Sequence, residues 1–160
     1  MRRTRGAPLA EIERVYRERF AELRRVAAAI TGDGDAASDV VQEAFARAVG
    51  TRRSFAGRGP VDAWIWRAVV NTALNRRRAD QRTGSEELPR GGDRDDDVHA
   101  VRERLAALPE RQRLAVFLRY YADLDYASIA EVLGTSVGTV SSSLHAAHEA
   151  LRRQLEEVVP

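Results

Sequence analysis

The sequence predicts an all-α protein of two small helical domains joined by a flexible acidic linker, with a helix-turn-helix in the second domain. Apolar residues recur every three or four positions through most of the chain, which is the period of an amphipathic helix. Residues 81–97 instead contain Gly, Pro, Ser and acidic residues with almost nothing to bury, which favours a flexible linker. After this linker the chain contains a helix, a glycine corner and a second helix, the order typical of a helix-turn-helix.

The N-terminal domain is predicted to cover residues 9–80 with three amphipathic helices. The expected helices are residues 9–31, 36–50 and 60–78. The turn TGDGD ends the first helix and offers Asp35 as the N-cap of the second. Pro60 suits the first turn of the third helix, where a missing N–H costs nothing. The expected core positions on the second and third helices are Val41, Ala44, Phe45, Ala48, Val61, Ile65, Ala68, Val69 and Thr72.

The C-terminal domain is predicted to cover residues 98–157. Its expected helices are residues 98–107, 110–122, 126–133 and 137–156. Gly134 stands where a left-handed helix C-cap is needed, and Ser136 is placed to cap the next helix. On that last helix the expected buried stripe is Val137, Val140, Leu144, Ala147 and Leu151.

The composition excludes several kinds of protein. The chain has no cysteine, which excludes disulfides, thiolate metal sites and cysteine nucleophiles. No catalytic pairing of side chains is evident, and His145 and His148 lack a third metal ligand, so we expect no enzyme, metal or cofactor. No apolar run approaches about 18 residues, and MRRTRGAPLA lacks the apolar core of a signal peptide. We therefore expect no membrane insertion and a cytoplasmic location.

The charge is distributed unevenly, and the chain has arginine but no lysine. Residues 1–82 carry 17 arginines against 10 acidic residues, whereas residues 83–99 carry 2 against 6 and residues 100–160 carry 7 against 8. Electrostatic attraction for nucleic acid is therefore expected mainly from the N-terminal domain.

The third predicted helix carries a stripe suited to unpaired bases. Trp64, Arg67, Asn71, Asn75 and Arg78 follow one another at intervals of three or four residues. Aromatic faces stack on bases, amides hydrogen-bond base edges and arginines hold the backbone, which is the chemistry of single-strand recognition. The alternative is that Trp64 packs in the core and the arginines only interact with the helix dipole.

The last predicted helix would lie in a DNA groove, but it carries little positive charge where such helices begin. Its outward face would hold Gly138, Ser142 and His145, with Ser141 on one flank. Neutral hydroxyls contribute little counterion-release affinity, so this helix predicts weak DNA binding by itself. The alternative is an ordinary corner of a helical bundle.

Several motifs in order resemble bacterial extracytoplasmic-function sigma factors. They are ASDVVQEAFARA, SFAGRGPVDAWIWRAVVNTALNRRR, an acidic linker, and LPERQRLAVFLRYYADLDYASIAEVLGTSVGTVSSSLH. The resemblance implies a transcription initiation factor that binds core RNA polymerase and promoter DNA, single-stranded at the −10 element and double-stranded at −35. It also allows an anti-sigma factor as a further partner.

The resemblance implies three groups of site residues. Polymerase binding falls to Asp39, Gln42, Glu43 and Arg47, which could otherwise be the solvated face of an amphipathic helix. Recognition of the −10 strand falls to Phe55, Arg58, Trp64, Arg67, Asn71, Asn75 and Arg78. Recognition of the −35 duplex falls to Ser136, Gly138, Thr139, Ser141, Ser142, His145 and Arg152.

The chain departs from this family at the last helix. Relatives commonly have GTVKSRLHRAR where this chain has GTVSSSLHAAH, so four cations are replaced at Ser141, Ser143, Ala146 and His148. Two hypotheses follow. The chain is a working sigma factor whose N-terminal domain and polymerase supply most of the affinity, or a sigma-like interaction protein that binds an anti-sigma factor or polymerase without efficient −35 reading.

Overall fold

The computed structural model describes residues 6–82 and 103–157, and every regular element in these two ranges is a helix. This confirms the predicted all-α fold class. Contacts divide the chain into two units, Met1–Gly91 and Gly92–Pro160, each with its own apolar core. Within the described ranges, no helix combines the length and the hydropathy that crossing a membrane would need.

The first unit is a bundle of three helices. They are α1 (Leu9–Thr31), α2 (Gly34–Thr51) and α3 (Val61–Arg82), with a 3₁₀ turn at Arg52–Ser54 after α2. Each helix packs against the other two, so that one apolar core lies between them. Large side chains buried in that core include Ile12, Val15, Leu23, Val26, Val40, Val41, Ile65, Trp66 and Val69. The core thereby holds the outer faces of α2 and α3 in a fixed position.

The turn between α1 and α2 is shorter than the sequence predicts. Gly32 ends α1 in the left-handed conformation, with φ of 76°, and its N–H donates to the carbonyl of Ala28. Asp33 then caps α2, because its side chain accepts from the backbone N–H of Asp35 at 2.9 Å. The prediction of Asp35 as the N-cap is therefore wrong. Gly34 already has helical geometry, and the cap moves two residues earlier.

Helix α3 runs four residues beyond its predicted end at Arg78. It continues to Arg82, and an Arg76–Asp80 ion pair at 3.8 Å spans the added turn. No Gly or Pro occurs between Arg78 and Arg82, so nothing in this segment breaks the helix. Residues 81–82 are therefore helix and not linker. Residues 83–97 of the predicted linker and 98–102 of the next predicted helix lie outside the described residues.

The second unit contains α4 (Glu110–Tyr120), α5 (Tyr126–Leu133) and α6 (Val137–Glu156), preceded by helical residues at 103–106. Helix α4 ends two residues earlier than predicted, and Asp123 in the following turn has a positive φ of 53°. The main core side chains are Leu105, Leu108, Leu114, Leu118, Ile129, Val132, Val140, Leu144 and Ala147. Helices α5 and α6 therefore pack on a common apolar base with α4.

The corner between α5 and α6 forms as predicted. Gly134 adopts φ of 64° as the left-handed C-cap of α5, and the Ser136 side chain accepts from the N–H of Thr139 at 3.1 Å. Val137 differs from prediction, because it is 49% exposed and the buried residues of α6 begin only at Val140. The first turn of α6 therefore projects into solvent.

Candidate nucleic-acid interfaces

Helix α3 separates its two tryptophans onto different faces. Trp66 is fully buried at 0% exposure, whereas Trp64 is half-buried at the surface. The other members of the predicted stripe, Arg67, Asn71, Asn75 and Arg78, are all exposed. Trp66 therefore occupies the core, which was the alternative position considered for Trp64. The stripe forms a continuous outer surface of the helix.

Phe55 lies beside Trp64 and is largely buried. The two ring centroids are 5.4 Å apart at an interplanar angle of 50°, and Phe55 is only 9% exposed. A tilted aromatic pair of this kind is attractive beyond the area it buries. Phe55 is thus the buried partner that supports the Trp64 ring, and Trp64 is the more exposed residue of the two.

Arg58 occupies the exposed segment between Phe55 and α3. It is flanked by Gly57 and Gly59, whose φ angles are 72° and 74°. Such left-handed conformations favour glycine, so the glycines allow the tight path that carries Arg58 outward. Arg53 and Arg58 are exposed before the start of α3, Arg67 is exposed in its second turn and Arg78 near its C-terminal end, so positive charge is spread along this side of the unit.

A connection that the sequence did not predict joins α1 to the start of α3. The Arg14 guanidinium donates to Asp62 at 2.8 Å and to Glu18 at 3.0 Å. The hydrogen bond with Asp62 and then that with Glu18 raise the pKa of Arg14 above its ordinary value. Arg14 and Asp62 are 48 positions apart, so no local sequence pattern could have paired them.

The outer face of α2 presents the residues assigned to polymerase binding. Asp39, Gln42, Glu43 and Arg47 are all exposed, and Arg47 donates to Glu43 at 2.9 Å. A cleft of about 170 Å³ adjoins this face and is lined by Glu43, Arg47, Thr72, Asn75 and Arg76. The α2 face and the α3 stripe therefore meet along one side of the unit.

The hydroxyls at the start of α6 are largely occupied within the helix. Ser136 accepts from the Thr139 backbone at 3.1 Å, and the two hydroxyls lie 2.9 Å apart. The Ser142 hydroxyl donates to the carbonyl of Gly138 at 2.8 Å. These groups retain acceptor capacity, but the Ser142 hydroxyl and one hydroxyl of the Ser136–Thr139 pair could donate to a base only by breaking a bond they already make.

Farther along α6, Arg152 and His148 already have partners within the protein. Arg152 contacts both carboxylate oxygens of Glu149 at 3.0 and 3.1 Å. His148 shares a hydrogen bond of 2.8 Å with the Tyr120 hydroxyl of α4. Ser141 and His145 are exposed polar side chains that remain on the outer face, together with the exposed backbone of Gly138.

Comparison with known proteins finds two family matches in chain order. Residues 15–83 match Sigma-70 region 2 and residues 99–151 match Sigma-70, region 4. The RNA polymerase sigma-E factor of Streptomyces antibioticus is 33% identical over 153 residues, covering 91% of this chain and 85% of the relative. The ECF RNA polymerase sigma factor SigL of Mycobacterium tuberculosis is 34% identical over 179 residues, covering 99% and 98%.

A solved structure has a similar fold. It is the sigma factor RpoE in complex with the anti-sigma factor NepR from Bartonella quintana, with a TM-score of 0.73 and 21% identity. The match covers 95% of this chain and 100% of that chain. The helices described above are therefore arranged in a known fold.

Proposed function

The chain belongs to the extracytoplasmic-function sigma factors of the sigma-70 family, and we propose that its two units read the two promoter elements through the outer faces of α3 and α6. As a member of that family it binds core RNA polymerase and directs promoter recognition. The remaining question is which side chains perform each task.

The −10 strand is assigned to the α3 stripe. The observation that supports it is the exposure of Arg67, Asn71 and Asn75 on the same stripe of α3 as Trp64, while Trp66 of the same helix is buried in the core. An unpaired base can stack on the exposed part of Trp64, while the amides of Asn71 and Asn75, about two and three turns farther along α3, read the edges of other unpaired bases. Arg58, Arg78 and the neighbouring arginines hold the phosphates, and Phe55 keeps the Trp64 ring in place.

Reconstituted transcription with core polymerase tests this assignment. Asn71→Ala removes a base-reading amide from an exposed position, so we expect slower promoter melting, detected by permanganate reactivity of the −10 thymines. Affinity for core polymerase should stay unchanged. Glu11→Ala is the matched control, because Glu11 is exposed on α1 and lies outside the stripe. Normal melting by both Asn71→Ala and Trp64→Ala would refute the assignment.

Docking on core polymerase is assigned to Asp39, Gln42, Glu43 and Arg47 on α2. These side chains are exposed polar groups that the core does not use. Because Glu43 and Arg47 pair with each other, a partner that engages either charge exchanges one ion pair for another. This face therefore favours specificity and orientation more than raw affinity.

Recognition of the −35 element is assigned to the first turns of α6. The affinity of this helix for DNA depends on the N-terminal domain and on polymerase for support. The second hypothesis, a sigma-like interaction protein with inefficient −35 reading, is favoured by one observation. The hydroxyls of Ser136, Thr139 and Ser142 make bonds within α6, and Arg152 is paired with Glu149. Promoter-dependent transcripts that vanish when the −35 sequence is scrambled would support the first hypothesis and contradict the second.

An anti-sigma factor is a further proposed partner. The solved structure of similar fold is a complex of a sigma factor with an anti-sigma factor. Sigma factors act where RNA polymerase acts, so we propose a cytoplasmic location for this chain. Its family membership also supports a role in transcription regulation without enzymatic activity.

A further inference from the structure

The loop that leads into α3 is held at its beginning by the residues before α1. The N–H of Ala7 donates to the carbonyl of Arg52 at 2.8 Å, and Ala7 is only 2% exposed. Gly6 has φ of 121°, and a methyl group on it would lie 3.1 Å from the Arg52 carbonyl oxygen and 3.3 Å from the Cα of Arg53. Gly6 and Ala7 are therefore fitted closely against the 3₁₀ turn.

The same loop is held at its other end by α1 itself. Arg14 lies less than two turns after the start of α1, and it donates to Asp62 in the first turn of α3 at 2.8 Å. The Asp62 side chain is 23% exposed, which makes this pair less solvated than the Arg17–Glu13 pair on the same helix, at 71% and 62%. Screening by solvent is weaker for the shielded pair.

Between these two points the loop carries two of the residues assigned above to the −10 strand. We call residues 52–60 the capture loop. It contains Phe55, which packs against Trp64, and the exposed Arg58. Its glycines at 57 and 59 have positive φ, and a methyl group on Gly57 would meet no atom within 4 Å. Residues 56–60 of the loop are thus exposed, whereas its first residue is bonded to Ala7 and Asp62, just after its end, is bonded to Arg14.

We propose that the segment from Gly6 to Arg14 is a two-point clamp that positions the capture loop, and through it Phe55 and Trp64, for capture of the melted strand. Arg14 and Asp62 are positioning residues in this account. The proposal rests on the function assigned above to the α3 stripe. It adds that residues 6–14, to which no function was assigned above, determine how fast the stripe binds the melted strand.

A double-mutant cycle on Arg14 and Asp62 tests the second point of the clamp. Arg14→Gln and Asp62→Asn should each slow open-complex formation by holoenzyme about two- to fivefold, the range expected for loss of one partly exposed pair. The double variant should be no slower than the slower single variant, because both changes remove one interaction. Arg14→Lys should recover part of the rate. Arg17→Gln, which breaks the exposed Arg17–Glu13 pair, is the matched control and should melt DNA normally.

Gly6→Ala tests the first point of the clamp. The added methyl group requires the Arg52–Arg53 backbone to shift by a few tenths of an ångström, and the positive φ is strained for alanine, so we expect melting about tenfold slower. Gly50→Ala is the control, because a methyl group there meets no atom within 4 Å. Both variants should bind core polymerase with unchanged affinity, and their thermal midpoints identify any general loss of folding.

Fluorine NMR separates positioning from stability. Labelling with 5-fluorotryptophan gives two resonances, since the chain has two tryptophans, and Trp66→Phe assigns them. Gly6→Ala and Arg14→Gln should shift or broaden the Trp64 signal and leave the Trp66 signal unchanged, because Trp66 lies in the core. Equal shifts of both signals would indicate a structural effect only and would overturn the clamp.

The outcomes also separate this proposal from the one on which it rests. If Trp64→Ala and Asn71→Ala slow melting but the clamp variants do not, the stripe reads DNA and the clamp is refuted. If Trp64→Ala and Asn71→Ala melt DNA normally, the function assigned to the stripe is refuted. The fluorine signal of Trp64 in the Gly6→Ala and Arg14→Gln variants then reports separately whether these residues position the loop.

Discussion

Restoring positive charge to α6 would measure whether this helix lies on DNA. The double variant Ser141→Arg/Ala146→Arg returns two of the four cations that relatives commonly carry. Ser141 is exposed and Ala146 is half-buried, and a long arginine side chain can extend from such a position to solvent. Neither residue belongs to the buried stripe of Val140, Leu144 and Ala147, so the fold should be retained.

The expected magnitude follows from counterion release. Each new phosphate contact steepens the logarithmic salt dependence of the binding constant by about 0.9, so two contacts add about 1.8. Between 50 and 200 mM salt, the affinity gained by the variant should therefore shrink about twelvefold. Residues 137–151 contain no Arg or Lys, and Arg152 is paired with Glu149, so the starting slope should be shallow.

Fluorescence anisotropy of the full chain with a labelled −35 duplex provides the assay, repeated over a series of salt concentrations. Ser141→Gln/Ala146→Gln is the matched control, because it adds length and hydrogen-bonding capacity without charge. If the Arg and Gln variants show the same slope, this face of α6 does not lie on DNA, and the reasoning from the helix-turn-helix geometry is refuted.

Two further predictions concern the caps of the second unit. Ser136→Ala removes the side-chain cap of α6 and should lower the free energy of unfolding in urea by about 1 kcal/mol. Ser142→Ala is the control and should change it by less than about 0.5 kcal/mol, because Ser142 bonds only within its own helix. Equal losses would contradict the assigned cap. The backbone and side-chain hydrogen bonds of Ser128 lower the pKa of Asp125 from 3.8, so its capping contribution is complete above about pH 4 and is lost as the pH falls through the lowered pKa. In the Asp125→Asn variant the thermal midpoint should therefore decrease less steeply below pH 4 than in the unaltered protein. An equally steep decrease in both proteins would show that this cap does not contribute.

Local features of the fold were predictable from the sequence. The left-handed cap at Gly134 and the N-cap at Ser136 formed as expected, because both depend on residues within a few positions. Boundaries were less accurate. The N-cap of α2 is Asp33 and not Asp35, since both aspartates suit a cap and the position of Gly32 decides between them.

The sequence by itself determined an all-helical chain with an apolar stripe on each helix, because helix periodicity and capping are local properties. It also determined which polar side chains share a face of α3. The tertiary structure alone decided that Trp66 enters the core while Trp64 stays at the surface against Phe55. It alone joined Arg14 to Asp62 and Ala7 to Arg52, because these contacts depend on how α1 packs across α3 and the turn after α2. Such pairings connect residues more than 40 positions apart, and their geometry is fixed by the core and not by any local pattern.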